Sequence, residues 1–227
     1  MVDSPEIVGA IQKVDVISVN NLPKEEWALG SKLRFEPAIL AQDQWQKLIA
    51  ITQASGNEKA VTVTWDGKKL ATHGDVMSTK NSSGLAIFPR GIRSVFARHE
   101  ELLVSAHAHP TPPELDHVQT IPFSDQDINS FINDPSYKAY IALDRGGVHL
   151  LARNPYAYSL RLDPAEKPVF TGAGEASKEE STKHGLAIDI MRKIAQGLVP
   201  FGIKYYYSPN LSLTPEGIVE LTDVSTL

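Results

Sequence analysis

The stretch ELLVSAHAHP, residues 101–110, admits few backbone arrangements. A short apolar run bounded by a breaker reads as a buried β-strand. Pro110 has no N–H to continue a ladder, so the strand must end just after His109. Side chains alternate across a strand, which sets His107 and His109 side by side on one face and Ala106 and Ala108 on the other. The two imidazoles then stand at a sheet edge or mouth, open to substrate, in a spacing that suits chelation of one metal ion.

The rest of the chain reads around this strand. PAILAQDQWQKLIAITQASGN has helical spacing of its apolar residues, with Pro37 near the start and Gly56-Asn57 as the stop. AVTVTW alternates like a strand and runs into Asp66-Gly67, with KKLATHGDVM as its hairpin partner. NSSGLAIFPRG reads as a loop or broken strand and GIRSVFARHEE as a short helix. In DQDINSFINDP, Ile128, Phe131 and Ile132 fall at helical spacing before Pro135, and Ser124 stands where an N-cap belongs. YKAYIAL and GVHLLAR flank Asp144-Arg145-Gly146-Gly147 as two antiparallel strands. A helix with Leu186, Ile190, Ile194 and Leu198 on one side precedes the strand IKYYYS and a polar tail.

These elements predict a mixed α/β layered fold: a central, curved, largely antiparallel sheet with helices on its faces. Residues 1–36 form a leader of uncertain structure, 37–162 a metal-binding core, and 163–183 a flexible linker rich in small and charged residues. Residues 184–227 add a helix and a strand to the same domain.

Composition narrows the function classes. With 22 Lys and Arg against 27 Asp and Glu the net charge is −5, which argues against a phosphate-backbone binder and so against nucleic acid. Without cysteine, disulfides, thiolate catalysis and cysteine-ligated zinc are excluded, and any metal must take nitrogen and oxygen ligands. The N-terminus lacks the basic and apolar regions of a secretory signal, and no apolar run approaches the ~20 residues that cross a bilayer. The expectation is a soluble, cytoplasmic protein without membrane partners.

A third metal ligand follows if Ser124 caps the helix, because Asp127 then occupies its first turn and points back toward the chain entering it. Two imidazoles and one carboxylate leave a fourth corner of a zinc tetrahedron for water, the arrangement of a catalytic site. Each part also has a plain structural reading: Ser124 as cap only, Asp127 as a favourable charge at a helix N-terminus, and the histidines as polar residues at a strand end.

His107-Ala108-His109-Pro110 followed by Ser124-Asp125-Gln126-Asp127 resembles the signature of the JAB/MPN/JAMM metalloproteases, H-x-H-P then S-x-x-D, with a glutamate upstream. In that family a helix precedes the glutamate and a strand follows it. Here the helix ending QASGN is succeeded by Glu58 and AVTVTW, which makes Glu58 the corresponding acid, ahead of Glu36 and the pair Glu100-Glu101. The likeness covers about Ile39 to Arg153, with TPPELDHVQTIPF inserted between the histidines and Ser124.

The resemblance implies a JAB/MPN-like, cytidine-deaminase-like fold and a zinc-dependent hydrolase that cuts peptide or isopeptide bonds with metal-activated water. It implies Zn2+ held by His107, His109 and Asp127, Glu58 as general base then acid, and Ser124 as donor to the oxyanion. The implied substrate is a protein or peptide, with a ubiquitin-like modifier as one class.

Two other functions fit parts of the pattern. A catalytically silent JAB/MPN-fold binding or scaffold protein would keep the fold alone. A metal phosphoesterase would need further acid and histidine ligands that the chain does not offer. His117, in the inserted loop, is a weak site candidate. His73, His99, His149 and His184 read as surface or hydrogen-bonded residues, and Tyr205 to Tyr207 as packing plus an interface edge. Acidic Glu114 and Asp116 read as a solvated loop, and Gly172-Ala173-Gly174 is not a phosphate loop.

Overall fold

Eight strands form one open sheet in the computed structural model, which describes residues 30–40, 42–53, 58–65, 70–74, 101–110, 123–133, 138–153 and 187–227. The strands are β1 (Lys32–Phe35), β2 (Lys59–Trp65), β3 (Leu70–Gly74), β4 (Glu101–Ala108), β5 (Ala139–Asp144), β6 (Gly147–Arg153), β7 (Ile203–Ser208) and β8 (Val219–Asp223). They lie in the order β1-β8-β7-β6-β5-β4-β2-β3. All neighbours pair antiparallel except β4 and β5, which run parallel. The helices among the described residues are α1 (Gln42–Thr52), α2 (Asp125–Asn133) and α3 (Ala187–Leu198). The mixed α/β, mostly antiparallel architecture expected from the sequence is therefore present.

Period-two alternation divides the sheet into two unlike faces. One carries Val61, Val63, Val104, Ala106, Ile141, Leu143, Val148 and Leu150, and buries them with Trp45 and Leu48 of α1. The other carries Tyr140, Ala142, Leu151, Ile203 and Tyr205, covered by Ile128, Phe131 and Ile132 of α2 and by Ile190, Met191, Ile194 and Leu198 of α3. Ile128, Phe131 and Ile132 of α2 and Ile190, Ile194 and Leu198 of α3, expected as apolar stripes, are buried, and Met191 and Ala195 join them. The second face also holds His107, Asp144, His149 and Arg153, all buried. Buried polar groups need partners. Arg153 finds one by donating from Nη2 to the carbonyl of Phe131, with its guanidinium 4.8 Å over the Phe131 ring, and so ties α2 to the sheet.

The β5–β6 hairpin turns at Arg145-Gly146. Asp144 Oδ1 accepts from the N–H groups of Gly146, at 2.7 Å, and Gly147, at 3.0 Å. Gly147 has φ 144°, and a Cβ there would lie 2.0 Å from the carbonyl oxygen of Ser208 on β7. Only glycine fits that crossing.

Two strands, β1 and β8, lie where the sequence reading named none. Lys32–Phe35, the end of the expected leader, is an edge strand paired with β8, with Leu33 and Phe35 buried. The expected polar tail contains β8, whose VELTD buries alternate residues. Both strands are too short, and too charged on the outward positions, to stand out by composition. The 163–183 linker, the helix expected at GIRSVFARHEE, the stretch NSSGLAIFPRG and residues 111–122 of the inserted loop lie outside the described residues, as do residues 1–29. No helix among the described residues is long and apolar enough to cross a membrane.

Candidate metal centre

Register builds the site. β4 ends formally at Ala108, but the N–H of His109 donates to the carbonyl of Leu143 at 2.8 Å, which extends the parallel ladder by one bond before Pro110 stops it. That bond keeps His109 in the alternation, so both imidazoles reach the same face as the sequence requires. Their Nε2 atoms are 2.9 Å apart, with ring centroids at 4.8 Å. Two nitrogens on one tetrahedral zinc would stand about 3.3 Å apart at ordinary bond lengths. The pair is a few tenths of an ångström short of that span.

On the other side of β4, the antiparallel register pairs Lys59 with Ala108 and Ala60 with His107. Continued by one residue, it sets Glu58 across from His109. Oε1 of Glu58 lies 3.1 Å from Nδ1 of His109, and both side chains are largely buried. A carboxylate only accepts, so Nδ1 of His109 carries the proton. In neutral His109 the lone pair then sits on Nε2, facing His107. An imidazole that binds a metal through one nitrogen commonly gives its other N–H to a carboxylate, which fixes tautomer and ring angle. Burial pulls the His109 pKa down, but the hydrogen bond and charge of Glu58, with the charges of Asp127 and Asp144, outweigh it and leave the pKa above the ordinary imidazole value.

Asp127 comes from α2. Ser124 is the N-cap: its Oγ accepts from the N–H of Asp127 at 3.2 Å, and Asp127 Oδ2 in return accepts from the Ser124 N–H at 2.8 Å. This reciprocal pair is a capping box with aspartate in the glutamate position. Phe123 precedes the cap and Ile128 follows it, both fully buried in one cluster, as in a hydrophobic staple. The Phe123 ring lies 6.2 Å from the ring of His107 and 6.0 Å from that of Tyr140, which brings the start of α2 to the histidine strand. The Ser124 hydroxyl donates to Asp127 Oδ2 at 2.6 Å, so at rest its O–H points at the aspartate rather than at a substrate position. Asp127 Oδ1 accepts from Tyr140 at 3.2 Å.

The structure therefore brings Glu58, His107 and His109 into one hydrogen-bonded chain and holds Asp127 beside it. Among the described residues, no three His, Asp or Glu side chains converge closely enough to hold a metal ion. Two of the expected donors, the Nε2 atoms of His107 and His109, are of the kind zinc takes and stand at hydrogen-bond distance from one another. The third is engaged by Ser124 and Tyr140.

Alternation along YKAYIALD places Tyr140 on the face of His107, with their ring centroids 5.4 Å apart. That signal was present in the sequence, but the parallel β4–β5 pairing that gives it meaning was not. A second buried cluster adjoins the site. His149 Nδ1 lies 2.8 Å from the Tyr205 hydroxyl and its Nε2 lies 3.4 Å from Asp144 Oδ1. Burial, then the Asp144 charge and Tyr207, hold the Tyr205 pKa well above its usual value, so the phenol is neutral and serves as a hydrogen-bonding group. His149 is hydrogen-bonded, as the sequence reading allowed, and it is buried rather than at the surface. Positions His117, His99, His184, Glu100, Glu114, Asp116 and Gly172 to Gly174 lie outside the described residues.

Set against protein-family models, curated proteins and solved structures, the chain matches none of them.

Proposed function

We propose that this protein is a zinc-dependent hydrolase of the JAB/MPN/JAMM kind that cuts peptide or isopeptide bonds, with a protein or peptide, including one joined to a ubiquitin-like modifier, as substrate. The observation that carries the reading is the pair of Nε2 atoms of His107 and His109 at 2.9 Å with a carboxylate on the far nitrogen of His109. Bound zinc would supply a water acidic enough to ionise near neutral pH and a Lewis acid for the scissile carbonyl. The chain would supply the rest. His107 and His109 would hold the ion through Nε2, and Asp127 would complete the set through Oδ1, the oxygen that Ser124 does not engage. Glu58 keeps His109 in the right tautomer in the resting protein. To carry the water's proton to the leaving amine it must exchange that contact for one nearer the reacting atoms. To serve the oxyanion, Ser124 must turn its hydroxyl proton away from Asp127 Oδ2.

A catalytically silent JAB/MPN-fold binding protein is the second reading, favoured by one observation: Asp127 and Ser124 satisfy one another, and the capping box alone accounts for both. The two are separated by assaying zinc-loaded protein against peptide and isopeptide-linked substrates. Turnover that disappears in His107→Ala and His109→Ala establishes the hydrolase. Stoichiometric zinc without turnover on any substrate establishes the silent module.

A further inference from the structure

Each carboxylate oxygen offers two acceptor directions. Asp127 Oδ2 uses both, on the N–H and the hydroxyl of Ser124. Oδ1 takes a single hydrogen bond among the described residues, from Tyr140. Tyr140 is fully buried on β5, one strand from His107 and on the same face of the sheet, and Ser105, two residues before His107, is its register partner. Its ring meets those of His107, Phe123 and Phe131, so the phenol cannot swing without disturbing the packing under α2.

We infer that Tyr140 is a positioning residue for Asp127: its hydroxyl holds Oδ1 on the His107 side of the capping box, with one acceptor direction left for a cation. Ser124 fixes one oxygen against the helix N-terminus and Tyr140 fixes the other against the sheet, so the carboxylate has a defined plane before any ion arrives. A group that is oriented in advance loses less freedom on binding, and partners of this kind are worth ten- to a hundredfold in metal affinity. The inference rests on the zinc reading above and assigns to it a residue outside the H-x-H-P and S-x-x-D pattern.

The test is zinc affinity by competition with a chelator for the unaltered chain, Tyr140→Phe, Asp127→Asn and the double variant. Phe keeps the ring packing, and the melting temperature of the metal-free protein checks this. The expected result is at least about a tenfold weaker Kd for Tyr140→Phe, with no further loss when Tyr140→Phe is added to Asp127→Asn, because the two act as one unit. An unchanged Kd in Tyr140→Phe overturns the inference while leaving the zinc reading intact. So does an equal loss in both backgrounds, which would mean that Tyr140 acts elsewhere. Absence of zinc binding by the unaltered chain removes the zinc reading itself, and this inference with it.

Discussion

His109 Nδ1 lies 3.1 Å from Glu58 Oε1 because β2 and β4 are antiparallel in a register that sets these residues opposite one another, each one position beyond its strand. The contact fixes the protonated nitrogen of His109 and points its other nitrogen at His107.

One expectation concerns the metal-free protein. Nuclear magnetic resonance of the imidazoles should show His109 with its proton on Nδ1 and a pKa above the ordinary value. In Glu58→Ala, burial remains while the carboxylate is lost, so the pKa should fall. A pKa raised by folding stabilises the folded state below the unfolded value, about 6.5, and that contribution is lost as pH rises through the folded value. The stability gap between the unaltered chain and Glu58→Ala should accordingly be widest in mild acid and narrow toward pH 8. A gap that is the same at both ends would contradict the assignment.

Phe123 anchors the start of α2 against His107, Tyr140, His149 and Tyr205. Phe123→Ala should cost about 3–5 kcal/mol in denaturant unfolding, the usual range for emptying a buried phenylalanine site. A loss below about 1 kcal/mol would mean that the staple contributes little.

The strand, the helix and the cap around this site also show how far the letters reach. The strand ending at Pro110, the spacing of Ile128, Phe131 and Ile132, and the S-x-x-D cap are local patterns, and each is found where periodicity and capping chemistry set it. The face shared by His107, Tyr140 and His149 depends on which strands are neighbours. The parallel step from β4 to β5 leaves no local mark, so the placement of Tyr140 beside His107 could not be read beforehand. The lock of Ser124 on Asp127 is legible as a capping box. That Ser124 takes both acceptor directions of Oδ2 and leaves only Oδ1 for a metal is visible only in the structure.

Gly147 should not accept a side chain. With φ at 144° and the Ser208 carbonyl 2.0 Å from a built Cβ, Gly147→Ala must move β6 away from β7. The expected destabilisation exceeds about 2 kcal/mol, measured by denaturant midpoint. A midpoint equal to that of the unaltered chain would contradict the close approach.

At the far side of the sheet, Lys204 Nζ donates to Asp223 Oδ2 at 2.7 Å. Burial raises the Asp223 pKa, but hydrogen bonds from Lys204 and Ser225 and the Lys204 charge bring it below the ordinary carboxylate value. A lowered folded pKa gives stability that is present above the unfolded value and is lost as pH falls through the folded one. Lys204→Met should therefore cost about 1–2 kcal/mol at pH 7 and progressively less below about pH 4. Equal destabilisation at pH 7 and pH 2.5 would show that packing, not charge, is what Lys204 provides.

The central claim is that His107 and His109 form the seat of a zinc ion, and calorimetric titration of zinc into metal-free protein tests it most directly. One equivalent should bind to the unaltered chain, and the heat should vanish in both His107→Ala and His109→Ala while those variants remain folded. No binding by the unaltered chain, or binding that survives loss of either imidazole, would contradict it.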